Sequence, residues 1–174
     1  IYQCDWSSVV CSSDLHPRYR AEMRDLYSSA PYKYTYNGKD CMYGDVMGAS
    51  SSEAHFEYMI KIQKEFGIPI SLTFNETYPN KELCDDPEVL GGFIRHIGKF
   101  YDMGVRSCTI SHVHLMALGH LQKYFPEMQW KNTVNHIITK PQQVVDYYTL
   151  GYDVINLDRS LNRDLDALRA IQPL

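Results

Sequence analysis

The sequence has no cysteine pattern: Cys4, Cys11, Cys41, Cys84 and Cys108 are odd in number, scattered, and without a CxxC pair. Neither a disulfide framework nor a thiolate metal cage is expected, and a reducing, cytoplasmic setting follows as the default. No apolar run is long enough to span a bilayer, so no membrane partner is expected. Basic residues form no run of five and the formal net charge is -4, which gives no electrostatic patch for nucleic acid. No strand-like segment is followed by G-x-G-x-x-G, so a dinucleotide-binding fold of the Rossmann kind fails its own test. The 174 residues also fall short of the roughly 250 that a closed (β/α)₈ barrel needs.

What is present is a globular composition, 44% hydrophobic and 22% charged, enough for one core. The start at Ile1 is neither basic nor continuously apolar, so no signal peptide is expected. The opening IYQCDWSSVVCSSDL resembles a translated adapter read-through of the kind found in assembled metagenomic sequence. Residues 1–15 are therefore expected to be a non-native or disordered leader, with one domain over 16–174. Residues 17–29 predict a short helix, with Tyr19, Met23, Leu26 and Tyr27 near helical spacing. Residues 30–50 are punctuated by Pro31, Gly38, Gly44 and Gly48. Tyr32, Tyr34 and Tyr36 there could be one face of a short strand or part of a surface loop.

A repeating unit follows. A helix over 52–66 ends at Gly67 and leads into the strand IPISLTFN. A second, with Asp86 as N-cap and Pro87 in its first turn, ends at Gly104 and delivers VRSCTISH. A third, HLMALGHLQKYF, stops before Pro126 and leads into MQWKNTVNHII. A fourth opens at Pro141, ends at Gly151 and delivers YDVINLD, and Asn162 would cap a fifth. Glycine at three of these helix ends supplies the left-handed residue that turns the chain back toward a strand. Alternating helix and strand with short connections predicts an α/β fold of parallel βαβ units. The expected form is a partial TIM-barrel-like (β/α) repeat: about four parallel strands in consecutive order with outer helices. A flavodoxin-like or receiver-like open sheet is the alternative.

Polar residues gather where each predicted strand ends, and in parallel α/β folds those ends share one side and build the site. Asn75, His112, Asn132, His136, Asp158 and Arg159 are the candidates. His112 and His136 are the acid–base candidates, because imidazole titrates near neutrality, with Asp158 beside them. Asn75 and Asn132 would orient polar atoms of a substrate and Arg159 would hold an anionic group. Asn75 and Asp158 could equally cap the helices that follow. His112 and His114 form an H-x-H pair that, with Glu76, His136 and Asp158, could hold a divalent metal; no metal is assigned. Cys108 lies mid-strand and is expected to be buried and inert. Tyr101, Tyr124, Tyr147 and Tyr148 are expected to pack helices onto the sheet.

From about Gly67 to Ala170 the chain resembles the N-terminal barrel half of the collagenase-like peptidases, family U32. The resemblance runs through TFN, FYDMGV, ISHVHLMALGHLQKYFP, NTVNHI and YYTLGYDVINLDRSLNRDL. Arg159 matches the family's arginine, while Ser160 stands where the family has a glutamate. It implies a barrel fold whose remaining strands belong to the rest of a longer chain, and a hydrolase or peptidase-like, or hydroxylation-related, role on an unidentified substrate. Some members hold an iron–sulfur cluster on four later cysteines, a set this chain does not contain, so the cofactor is left unknown. The resemblance places His114 at the start of the following helix. A non-catalytic binding or scaffold domain with the same fold is the alternative.

Overall fold

The computed structural model describes residues 25–44, 53–76 and 80–172, so the leader over 1–15 lies outside the described residues. The helix expected over 17–29 is corrected at its end: Leu26–Ser29 is a strand, β1. It pairs in parallel with a later strand, Leu26 opposite Ile70, and that ladder overrides a weak helical spacing. Leu26 and Ser28 are buried while Tyr27 points out, the period-2 signature of a strand.

An antiparallel hairpin follows, β2 (Tyr32–Tyr36) and β3 (Lys39–Tyr43). Its two-residue turn, Asn37-Gly38, has both φ angles positive, 49° and 72°, the turn type whose twist matches flanking strands. The three tyrosines of β2 thus lie on a strand. Next come α1 (Glu53–Phe66), β4 (Ile70–Phe74), a single turn α2 (Glu82–Asp85) and α3 (Pro87–Asp102). Asp86 caps α3 by accepting from the N–H groups of Glu88 and Val89.

Strand β5 (Ser107–Ile110) leads to two short helices, α4 (Val113–Ala117) and α5 (His120–Tyr124). The single helix expected there is broken by Gly119, whose φ is 70°. Strand β6 (Gln129–Lys131) is shorter than expected and gives way to a 3₁₀ turn at Val134–His136. Helix α6 (Pro141–Thr149) follows, then a 3₁₀ turn at Arg159–Arg163 and α7 (Leu165–Ile171), capped by Asp164 rather than Asn162. The strand expected over 152–158 contracts to one parallel bridge, Val154 to Lys131.

The main sheet is wholly parallel, in the order β1-β4-β5-β6. With its helices it forms an α/β, partial (β/α) array. Consecutive order leaves β1 at one edge and places the Val154 bridge beside β6. Gly67, Gly104 and Gly151 have φ of 68°, 104° and 92° at the helix-to-strand turns.

Alternation divides the sheet into two unlike faces. Ile70, Leu72, Phe74, Cys108, Ile110 and Trp130 are buried in one apolar core with Phe56 and Met59 of α1, Phe93 and Ile97 of α3, and Leu115 and Leu121. Aromatic rings lock this side: Phe74 meets Phe93 at 5.1 Å and Phe56 meets Phe100 at 4.5 Å between centroids. The intervening residues are Ser71 and Thr73 on β4, Ser107 and Thr109 on β5, and Gln129 and Lys131 on β6. They stand opposite one another in register, Ser71–Ser107–Gln129 and then Thr73–Thr109–Lys131. Paired residues of parallel strands point to one side, so this face is polar in successive layers.

Candidate functional site

The rim is built where β4, β5 and β6 give out. Asn75 follows β4, and its side-chain oxygen accepts hydrogen bonds from the Thr133 hydroxyl and from Asn135 Nδ2, the latter at 3.2 Å. Thr133 in turn caps the 3₁₀ turn by accepting from the Asn135 N–H. His136 closes the group: its Nε2 lies 2.8 Å from the Ser111 carbonyl. A carbonyl only accepts, so Nε2 carries the proton and Nδ1 is a lone pair. That Nδ1 is buried and has no hydrogen-bond partner. The ring sits against Tyr147, 5.1 Å between centroids, and burial pushes its pKa below the ordinary imidazole range.

His112 has a different job. Its Nδ1 accepts from the Leu115 N–H at 3.3 Å, capping α4, and its Nε2 lies 3.1 Å from the Asn80 carbonyl. Both nitrogens are engaged, and the ring is 3% exposed. Burial lowers its pKa, so it is neutral at pH 7. Cys84 Sγ is 3.7 Å from Nε2, but the same network that places a proton on Nε2 removes the base a thiol would need. Burial also raises the Cys84 pKa. Cys108 is fully buried and its thiol is held well above the ordinary range.

Asn132 is fully buried and knits β6 to the Val154 segment. Its side-chain oxygen accepts from the Asn156 N–H, and its Nδ2 donates to the Asn156 carbonyl at 3.1 Å. Asp158 caps the 3₁₀ turn by accepting from the Ser160 N–H at 2.8 Å, and hydrogen bonding to Ser160 holds its carboxyl below the usual range. Arg159 is exposed on that turn. Asn75 and His136 thus join one hydrogen-bonded rim cluster. His112, Asn132 and Asp158 serve backbone groups, and Arg159 stands apart. His114 lies in α4 and is exposed, its ring 6.4 Å from that of His112, so the strand alternation that an H-x-H metal pair needs is lost. Among the described residues, no group of three or more His, Cys, Asp or Glu side chains could hold a metal ion.

Several contributors were outside the candidate set. The β2–β3 hairpin reaches over this rim: Tyr43 stacks on Phe74 at 5.7 Å and its hydroxyl lies 3.4 Å from Ser111 Oγ. Glu76, which the sequence offered only as a possible metal ligand, accepts from the Gly44 N–H at 3.3 Å, and burial raises its carboxyl pKa. Asn80 donates to the Tyr34 hydroxyl and the Met42 carbonyl, at 2.7 and 2.9 Å. The signal for the hairpin was Asn37-Gly38; the signal for Thr133 and Ser111 was the alternation that pairs them with Asn75.

The fold has a solved counterpart. A U32 peptidase, Mk0906, superposes with a TM-score of 0.59 over 70% of this chain and 48% of its own, at 18% identity. This chain therefore spans about half the length of that protein. At this identity the likeness speaks for the fold alone. No family model matches the chain, and no curated protein matches it. No helix among the described residues is long and apolar enough to cross a membrane. Tyr124 and Tyr148, expected to pack, are 59% and 70% exposed; Tyr101 and Tyr147 do pack against the core.

Proposed function

We propose that this chain is part of a U32-peptidase-like (β/α) barrel protein that binds a small polar substrate at the C-terminal rim of its parallel sheet and acts on it as a hydrolase. The observation that carries this is the single hydrogen-bonded group drawn from three successive strand ends: Asn75, Ser111 and the Thr133–His136 turn. Such convergence is how parallel α/β folds assemble sites. The reaction class proposed is that of the U32 peptidase whose fold the chain shares. Within this reading His136 is the acid–base group, because its Nδ1 lone pair is unpartnered, and substrate binding uncovers that buried atom. Asn75 and Asn135 orient the substrate, and Arg159 supplies outlying positive charge. His112, Asn132 and Asp158 position the rim.

A second reading, a binding domain without chemistry, is favoured by one observation: His112 has both nitrogens committed to backbone partners. Peptide-library hydrolysis followed by mass spectrometry separates the two, run on the chain within its complete open reading frame. Hydrolysis lost in His136→Ala and Asn75→Ala but kept in His112→Gln supports the enzyme. Binding with no turnover in any form supports the second reading.

A further inference from the structure

The polar face of the sheet is unusual for its architecture. Parallel sheets covered on both sides read as continuous apolar strands, and barrel interiors are filled mainly by Val, Ile and Leu. Here the layers are Ser71–Ser107–Gln129, Thr73–Thr109–Lys131 and, beyond the last paired residues, Asn75–Ser111–Thr133. Ser71 and Ser107 are buried and bonded to each other at 3.1 Å, with Gln129 exposed beside them. In the last layer Asn75 and Ser111 are half-buried and Thr133 is buried. Only in the middle layer are all three side chains, Thr73, Thr109 and Lys131, half-buried.

Lys131 is the one cation in these layers. Its ammonium contacts the carboxylate of Asp25, just before β1, with the two side chains 14% and 26% exposed. Thr109 is the register neighbour of Lys131 and Thr73 the next beyond it, on parallel strands ~4.8 Å apart. A partly buried ammonium with one carboxylate partner has two N–H donors to spare.

We infer that Lys131, with Thr73 and Thr109, forms a carboxylate-binding floor beneath the rim. This inference rests on the rim being a binding site and names the substrate's chemistry there: a small molecule carrying a single carboxylate. With Lys131 already shared with Asp25, every added negative charge is uncompensated, so a singly charged group is opposed less than a dianionic phosphate. The carboxylate belongs either to the C-terminus of a short peptide or to a small organic acid.

Amide-resolved NMR titration of the whole chain tests this with three probes: glycylglycine, its C-terminal amide, and glycolate. The floor predicts that glycylglycine or glycolate shifts the amides of Thr73, Thr109 and Lys131, while the C-terminal amide does not. The tighter of the two acids identifies the source. Lys131→Gln should weaken binding at least tenfold and Thr109→Val severalfold. Asp25→Asn should tighten it, because the ammonium loses its competitor; a purely structural ion pair would not produce that sign. Equal shifts from the amidated dipeptide, or weaker binding in a folded Asp25→Asn, overturn the inference. Shifts confined to Asn75 and Asn135 overturn it while leaving the rim reading intact; no shift at either place removes both.

Discussion

The two faces of the parallel sheet are made from the same strands and differ at every second residue. On the helix side, Leu72, Phe74, Cys108 and Ile110 are fully buried and packed against α1 and α3. On the other side Thr73, Thr109 and Lys131 are half-buried and polar. Burial of apolar area is the main favourable term in folding, so the first face carries the fold and the second is free to be chosen for other work. The rim repeats this division at smaller scale. His112 holds α4 in place through two backbone bonds, whereas His136 makes one and keeps a lone pair.

The comparison breaks most readily at the core. Phe93→Ala empties a site ringed by Phe74 and Tyr43 and should cost about 3–5 kcal/mol. Thr109→Ala, across the sheet, should cost under about 1 kcal/mol; urea unfolding measures both, and equal costs would erase the distinction. The next largest effect separates the histidines. His112→Ala strips partners from the Leu115 N–H and the Asn80 carbonyl and should cost about 2–3 kcal/mol, against about 1–2 for His136→Ala, which loses one.

Acid should then sharpen the contrast. His96, His112 and His136 are all held below their ordinary pKa of 6.5, chiefly by burial. The folded chain therefore binds fewer protons than the unfolded one. Stability is full above about pH 6.5 and falls as the pH drops through that value. Glu76, raised by burial, acts in the opposite sense: its contribution is present below its ordinary 4.5 and is lost as pH rises through its folded value. Thermal melts from pH 7.5 to 5.5 should show Tm falling, less steeply in His112→Gln. The smallest effect belongs to Arg159, exposed on its turn. Arg159→Ala should change stability by no more than about 0.5 kcal/mol.

The alternation of helix and strand was legible because the glycines at 67, 104 and 151 and the Asp86-Pro87 start are local signals with local causes. β1 was not, because four residues held by an edge ladder to β4 carry no signal of their own. The strand expected over 152–158 is one bridge, because Asp153, Asn156 and Asp158 interrupt the apolar residues that would have extended it. At the site, strand ends pointed to Asn75 and His136, but one sequence cannot distinguish a histidine that caps a helix from one that faces a cleft. His112 was the first kind. The polar layers are legible as strict alternation in I-S-L-T-F-N and S-C-T-I-S, and in Q-W-K-N-T up to Asn132, a buried polar residue where the pattern calls for an apolar one.

The central claim is that the polar face binds ligand and does not hold the fold together. Urea unfolding of Thr73→Val/Thr109→Val beside the parent chain, each with and without an excess of whichever of glycylglycine and glycolate binds more tightly, tests it in one series. The account predicts equal stability without ligand to within about 1 kcal/mol. It also predicts a ligand-induced rise in the parent's midpoint, as binding to the folded state requires, and a clearly smaller rise in the variant. A variant destabilised by more than about 2 kcal/mol, or one that keeps the parent's ligand-induced rise, would contradict it.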